Sequence, residues 1–191
     1  MQNIAIFGSG SGTNAENIIN YFSKSDVVRI AVVLSNKKDV GIHTRAQRLG
    51  VQTFTFSNDE FKDGDVIISK LAEYQVDYIV LAGFLQLISP VIINAYRERI
   101  INIHPALLPR FGGKGMYGSY VHEAVVEAKE TKTGITIHYV NEHYDEGAVI
   151  FQATCPVLSE DTADDVAAKV HELEYKHFPQ VIENLLAMSG K

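Results

Sequence analysis

Asn102 and His104 are the residues whose types and spacing in this sequence best fit catalysis. They lie two positions apart in the apolar run 100–104, so on a strand both side chains point to one face, and Pro105 then ends the regular structure. An Asn amide can donate to an oxygen that gains charge in a tetrahedral intermediate, and His exchanges protons near neutral pH. The pair predicts acyl transfer to a nucleophile carried by the substrate, such as an amine. The alternative is a pair that only satisfies turn backbone.

Asp145 is the carboxylate that can orient such a histidine. It lies in the segment 141–147, where four of seven residues are Asp, Glu or His. A carboxylate beside an imidazole favours the imidazolium, which is the pairing that acid–base catalysis uses, although an Asp in a turn that ends at Gly147 also has a local explanation as turn chemistry. Glu174 falls inside a long helical pattern, and its position there predicts a solvated face residue.

A glycine-rich segment near the N-terminus predicts an anion site. A short apolar strand at 3–8 runs into Gly-Ser-Gly-Ser-Gly-Thr-Asn, residues 8–14, and a helical pattern follows. Exposed N–H groups and the positive end of a helix favour a phosphate there. The third glycine comes one position early for a dinucleotide fingerprint and the P-loop lysine is missing, so we expect a small phosphomonoester. The simpler alternative is a glycine-rich turn with Thr13 as the helix N-cap.

The elements that must position these residues alternate between strands and helices. The patterns predict strands at 28–35, 51–56, 77–82, 134–140 and 148–156, and helices at 39–49, 61–74, 119–130 and 161–186. This alternation predicts an α/β fold of the doubly wound, Rossmann-type, three-layer kind, with a mostly parallel sheet and its ligand crevice at the carboxyl ends of the strands. The alternating strand 134–140 predicts an antiparallel edge.

Two loops flank the Asn-His strand. Residues 83–90 are apolar and form either a flat pocket for an aromatic ring or core packing before a helix that starts at Ser89 and Pro90. Residues 110–120 contain four glycines together with Arg110 and Lys114, which predicts a mobile loop that closes over the site near an anion.

Composition limits the classes of protein. With 191 residues, 46% hydrophobic and 21% charged, the chain predicts one domain, and the net charge of −6 argues against an extended nucleic-acid interface. The single Cys155 excludes an internal disulfide and fits a reducing compartment, and the histidines show no metal-ligand spacing. A strand begins almost at once, without a leader pattern, and no long apolar window follows. We therefore expect a cytoplasmic protein, a monomer or weak homodimer, that binds neither membrane nor metal.

Five separated motifs, in one order, give the sequence a resemblance to the phosphoribosylglycinamide formyltransferase family. They are the glycine-rich segment ending at Asn14, A-G-F-L-Q-L-I-S-P from Ala82, I-N-I-H-P-A-L-L-P from Ile101, T-I-H-Y-V from Thr136 and D-E-G-A-V-I from Asp145. The resemblance covers nearly the whole chain. It implies transfer of a formyl group from 10-formyltetrahydrofolate, as co-substrate, to the amine of 5-phosphoribosylglycinamide in purine biosynthesis.

The resemblance also implies roles for individual residues. The trio is Asn102, His104 and Asp145, with a protonated His104 helping Asn102 to stabilise the oxyanion. The other implied contacts are Gly12, Thr13 and Asn14 to the ribose phosphate, Glu174 to the glycinamide, and Leu85, Gln86, Leu87, Ile88 and Asn102 to folate. His138 matches a histidine of the family. Within one domain, residues 1–100 form the phosphate-binding half and residues 101–191 the catalytic and folate half.

The sequence departs from the family pattern in two places, and other functions stay open. Gln86 stands where the family commonly has Arg, and residues 110–118 replace a proline–glycine loop. A 10-formyltetrahydrofolate hydrolase and methionyl-tRNA formyltransferase share the trio, but we expect each to need a further domain for which this chain has no room. A non-catalytic module that binds a phosphate ligand is the remaining alternative, and it does not need a titrating group in the crevice.

Overall fold

The computed structural model describes residues 1–189, which form one seven-stranded sheet between layers of helices. The strands are β1 (Gln2–Phe7), β2 (Val28–Ser35), β3 (Gln52–Thr55), β4 (Tyr78–Leu81), β5 (Ile100–His104), β6 (Lys132–Tyr139) and β7 (Val149–Pro156). The helices are α1 (Thr13–Phe22), α2 (Gly41–Arg48), α3 (Asn58–Asp63), α4 (Asp65–Glu73), α5 (Pro90–Ala95), α6 (Ser119–Glu127) and α7 (Ala163–Ser189). Within residues 1–189, no helix combines the length and apolar character that a membrane span requires.

The sheet order is β3-β2-β1-β4-β5-β6-β7, which confirms the predicted architecture. The first five strands of the sequence pair in parallel, and β6 runs antiparallel to both β5 and β7. The order reverses between β1 and β4, so the loops that follow these two strands meet, and the Ser9 N–H donates to the Gly83 carbonyl at 3.0 Å. A doubly wound sheet places its ligand site at such a switch point.

Apolar residues on both faces of the sheet build the core. In β1, Ile4 and Ile6 pack in one buried cluster with α1 and α7, while Ala5 and Phe7 pack in a second cluster with α4 and α5. A parallel strand covered on both sides reads as a continuous apolar run, which explains why the period-two pattern is absent there. The two clusters are the two interfaces of the three-layer fold.

One predicted helix and one alternative for the glycine-rich segment differ from the structure. The helix expected at 61–74 is two helices, because Ser57 and Glu60 form a capping box that starts α3 early and Gly64, at φ 91°, breaks the chain direction before α4. Thr13 is not the N-cap of α1. Gly12 holds that position in the left-handed region, at φ 81°, and no side-chain hydrogen bond within the described residues caps this helix start.

Candidate active site

Asn102 and His104 lie at the carboxyl end of β5, and both line one cavity. The antiparallel pairing with β6 sets His138 opposite Asn102 and Thr136 opposite His104. The Thr136 hydroxyl donates to the Ala106 carbonyl at 2.7 Å, which holds the chain where it leaves β5. The common face predicted from the two-residue spacing is present, and His104 is 3% exposed.

Asp145 joins this pair from the loop between β6 and β7. Its Oδ2 atom lies 3.6 Å from His104 Nδ1, and its Oδ1 atom lies 3.6 Å from His138 Nε2. Oδ2 also accepts a hydrogen bond of 2.9 Å from the Gly113 N–H. The structure therefore brings together the three residues that the sequence singled out, and the separation from His104 is too long for a strong direct hydrogen bond.

His138 orients the Asn102 amide. Its Nδ1 atom lies 2.8 Å from the Tyr139 carbonyl, which can only accept, so Nδ1 carries the proton. In the neutral ring Nε2 is then an acceptor, and Asn102 Nδ2 lies 3.0 Å from it. One N–H of Asn102 is thereby directed at His138, and the second stays available to a ligand in the cavity.

Burial and charge set the protonation of the histidine–carboxylate pair. Burial lowers the pKa of His104 below its ordinary value by more than the Asp145 charge and the Phe111 carbonyl raise it. Burial alone would raise the pKa of Asp145, but its contacts with His138, His104 and the Gly113 N–H together lower it. Burial therefore favours the neutral ring of His104 in the substrate-free protein over the protonated ring expected from sequence.

The glycine-rich loop between β1 and α1 forms the other end of the cavity. A Cβ at Gly12 would lie 2.4 Å from Ile42 Cα, so α2 approaches the loop too closely for a side chain. Residues 10–14 line the cavity, with the uncapped start of α1 among them. This arrangement of exposed backbone N–H groups at a helix N-terminus suits a phosphate.

Glu174 projects from α7 into the same end of the cavity. The solvated position inferred from its helical pattern was wrong. Glu174 is only 5% exposed, because α7 packs across α1. Its Oε2 accepts a hydrogen bond of 2.8 Å from Asn14 Nδ2. Burial raises its pKa, against the opposing influence of the Asn14 hydrogen bond and of His171. Asn14 and Glu174, 160 residues apart, thus form one polar wall.

The segment expected to contact folate divides between the cavity and the core. Leu85 lines the cavity and is 43% exposed, whereas Ile88 is 3% exposed and packs among the aromatic residues of the second core cluster. Gln86 Nε2 donates to Asn58 Oδ1 at 2.6 Å, and Leu87 is exposed outside the cavity lining. Ile88 therefore belongs to the core, which was the alternative for this loop. For Leu85, a side-chain contact to a ligand in the cavity stays a prediction.

Sequence reasoning missed two histidines of the cavity, His122 on α6 and His171 on α7. Their rings are 6.3 Å apart, and burial, with His171 and His104 nearby, lowers the pKa of His122 to about 4. The helical pattern alone places His171 on a helix face without metal-ligand spacing. Its position one turn before Glu174 was the signal that both share a face.

The cavity has a volume of about 600 Å³ and runs from the start of α1, past Glu174, to the trio and Leu85. This size suits a small organic substrate. Within residues 1–189, no group of three or more His, Cys, Asp or Glu side chains is placed to hold a metal ion.

The chain belongs to the formyl transferase family, whose profile matches residues 2–182. Among its relatives, phosphoribosylglycinamide formyltransferase of Haemophilus influenzae is 36% identical, over 96% of this chain and 86% of its own length. The chloroplastic phosphoribosylglycinamide formyltransferase of Arabidopsis thaliana is 40% identical over 94% of this chain. The crystal structure of phosphoribosylglycinamide formyltransferase from Streptococcus pneumoniae superposes with a TM-score of 0.86 at 35% identity, covering 97% of this chain and 99% of that one.

The length of the match differs between relatives. The chain spans 63% of the Arabidopsis protein and 60% of its chloroplastic counterpart from Vigna unguiculata. It spans 98% of the phosphoribosylglycinamide formyltransferase of Bacillus subtilis, at 32% identity.

Proposed function

We propose that the protein transfers the formyl group of 10-formyltetrahydrofolate to the amine of 5-phosphoribosylglycinamide, a step of de novo purine biosynthesis. The observation that carries this proposal is the single cavity that joins an anion-binding helix start to the trio of Asn102, His104 and Asp145. The names of its full-length bacterial relatives support the same activity. We infer a cytoplasmic enzyme that acts on small molecules, as a monomer or weak homodimer.

The trio suits direct acyl transfer without an acyl-enzyme. The free N–H of Asn102 donates to the formyl oxygen as it gains charge, and neutral His104 accepts the proton that the attacking amine loses. A bond forms between the amine nitrogen and the formyl carbon, the bond from that carbon to folate N10 breaks, and the proton passes from His104 to N10. Asp145 stabilises the imidazolium between these two proton transfers.

The remaining lining residues suit the two substrates. Backbone N–H groups and side chains of Gly12, Thr13 and Asn14 hold the phosphate, and the Glu174 carboxylate accepts hydrogen bonds from the glycinamide nitrogen atoms. Leu85 supplies apolar surface beside the trio for the folate ring. With both substrates held in one cavity, a bimolecular encounter becomes a nearly unimolecular step.

Absorbance-monitored release of tetrahydrofolate from 10-formyltetrahydrofolate, with and without 5-phosphoribosylglycinamide, tests the proposal. Release that depends on the amine, with a formylated glycinamide as product, is the expected result. Release without the amine would indicate a hydrolase, and binding of the phosphate substrate with no release from either mixture would indicate a binding module.

The pH dependence of turnover is expected to follow a neutral His104. Because burial lowers the pKa of this imidazole in the substrate-free protein, the acid limb of kcat/KM should have its midpoint below pH 6.5, the ordinary value. In Asp145→Asn, the loss of a charge that raises the His104 pKa should move this acid limb to still lower pH, in addition to lowering kcat. A wild-type limb centred above pH 6.5 would contradict a neutral base.

Glu174→Gln is expected to stabilise the fold and weaken substrate binding. The folded-state pKa of Glu174 lies above its unfolded value of 4.5, so its stability contribution is complete below that pH and is lost as pH rises through the folded pKa. At pH 7 the neutral amide avoids this cost and keeps an oxygen that accepts from Asn14. We expect a higher melting temperature at pH 7 but not at pH 4.

The same substitution should raise KM for 5-phosphoribosylglycinamide by about 10-fold, because a charged hydrogen-bond acceptor contributes about 1.5–3 kcal/mol. Glu172→Gln, two residues away on the exposed side of α7, is the matched control and should change neither quantity. An unchanged KM in Glu174→Gln would remove Glu174 from the substrate site, whatever its effect on stability.

A further inference from the structure

The loop after β5 contacts both ionisable members of the trio. His104 Nε2 lies 2.7 Å from the Phe111 carbonyl oxygen, and the Gly113 N–H donates to Asp145 Oδ2 at 2.9 Å. We propose that this segment, residues 110–113, is a positioning element that fixes the tautomer of His104, so that Nδ1 rather than Nε2 is the catalytic base. We call it the bracket. The inference rests on the proposed function, since it names the reacting nitrogen of that same site.

The chemistry of a backbone carbonyl determines the tautomer. A carbonyl oxygen only accepts hydrogen bonds, so His104 Nε2 carries a proton whether the ring is neutral or charged. In the neutral ring the lone pair is then on Nδ1, and this atom faces Asp145 Oδ2 at 3.6 Å. A proton that arrives at Nδ1 therefore lies beside a carboxylate, whereas a proton leaving Nε2 would break the Phe111 hydrogen bond. The bracket therefore favours uptake of the proton at His104 Nδ1.

The bracket holds Asp145 as well as His104. Asp145 Oδ2 accepts a hydrogen bond from the Gly113 N–H and also faces His104. The Gly113 N–H therefore fixes the position of the oxygen that stabilises the imidazolium. A Cβ at Gly112 would lie 2.4 Å from Leu108 Cδ2 and 3.3 Å from Asp145 Cβ. A methyl group at Gly112 would therefore overlap the Leu108 side chain and press against Asp145.

Contacts outside the cavity keep the bracket in this conformation. Phe111 lies in the left-handed region at φ 56°, which disfavours a residue with a Cβ, so other interactions must hold it there. The Arg110 guanidinium stacks 5.1 Å from the Phe111 ring centre and pairs with Glu130, just after α6. Phe111 also packs against the first core cluster. Glu130 and Arg110 therefore act on His104 through the backbone of Phe111.

Nitrogen NMR of the ¹⁵N-histidine-labelled, substrate-free enzyme tests the tautomer directly. With the His104 signals assigned by comparison with His104→Ala, we expect Nε2 to show the shift of a protonated nitrogen and Nδ1 that of a bare one near pH 7.5. The opposite pattern, a proton on Nδ1 and a bare Nε2, would overturn the inference. It would leave the formyl transfer itself, measured on the same sample, unaffected.

Two variants test the positioning. Gly112→Ala should displace the bracket, lower kcat by about 10- to 100-fold and leave KM for 5-phosphoribosylglycinamide within about twofold, since small misplacements of a catalytic group have effects of that size. Glu130→Gln removes the partner of Arg110 without adding an atom and should lower kcat by about 3- to 10-fold, the smaller effect of losing an indirect support. Glu73→Gln removes an equivalent partner from Lys70 on α4 and is the control, with unchanged kcat.

The pH profile separates positioning from general damage. Because the Phe111 carbonyl raises the pKa of His104, both variants should move the acid limb of kcat/KM to lower pH, and their His104 should show a mixture of tautomers. Glu130→Gln provides this readout even if Gly112→Ala does not fold. A Glu130→Gln enzyme with a wild-type limb, a single tautomer and wild-type kcat would show that the ion pair does not act on His104.

Discussion

His104→Ala is expected to lower kcat by about 10³-fold, within the range of 10²–10⁴ that general acid–base catalysis contributes. In the variant the amine must lose its proton to water, and Asp145 has no imidazolium to stabilise. KM for 5-phosphoribosylglycinamide should change by less than about threefold, because the proposed contacts to its phosphate and glycinamide use other residues of the cavity. Steady-state kinetics with both substrates varied give the two constants separately.

Asn102→Ala should cost about 10²–10³ in kcat, the effect of removing one donor to a developing oxyanion. The double variant with both His104→Ala and Asn102→Ala should show a smaller fall in kcat than the product of the two single falls, because both residues act on one transition state. His143→Ala is the control: this histidine is exposed, two residues from Asp145 and outside the cavity lining, and its loss should leave kcat unchanged. A His104→Ala enzyme within about fivefold of the wild-type kcat would remove His104 from the chemistry.

Asn102 and His104 were predictable because both carry a local signal, whereas Asp145 also fitted turn chemistry and was assigned by the resemblance. The apolar run before Asn102 predicts a strand, the two-residue spacing to His104 predicts a common face, and the prolines predict where the strand stops. These signals depend only on the geometry of a strand. The same holds for the sheet, since the alternation of strands with helices leaves few topologies open.

The contacts that define how the trio works were not predictable in this way. The tautomer of His138 follows from its hydrogen bond to the Tyr139 carbonyl. Its contact with Asn102 follows from the register of β5 against β6, which pairs two residues that are 36 positions apart in the sequence. Burial of Glu174 requires knowing that α7 crosses α1, which helical periodicity alone does not state. Sequence thus identified the three residues that the cavity brings together, and tertiary contacts determined their hydrogen bonds.

Helix boundaries show the same division at a smaller scale. The apolar spacing across 61–74 fits one helix, so it predicts a single element. The structure instead follows the capping box of Ser57 and Glu60 and the break at Gly64. For Ile88, the residue type fits a ligand pocket and a core equally well, and packing against the second cluster decided for the core. Apolar pattern predicts that a residue is buried, but not what covers it.

Gly134→Ala is expected to destabilise the protein by about 3 kcal/mol or more, among the largest effects of a single added methyl group. A Cβ at Gly134, in β6, would lie 1.8 Å from the Ala153 carbonyl oxygen of β7. That oxygen belongs to the backbone of a paired strand, so relieving the overlap means separating β6 from β7 rather than rotating a side chain. For a domain of this size the loss corresponds to a fall of about 6–12 °C in melting temperature.

Gly10→Ala is the matched control for this prediction. It makes the same change at a glycine with no atom within 4 Å of the added Cβ, and its melting temperature should stay within about 2 °C of wild type. β6 also carries His138 and pairs with β5. The kcat of Gly134→Ala should therefore fall at temperatures below its global melting temperature, because β6 and β7 separate locally first. Equal melting temperatures for the two variants would mean that β7 is not seated on β6 in this register.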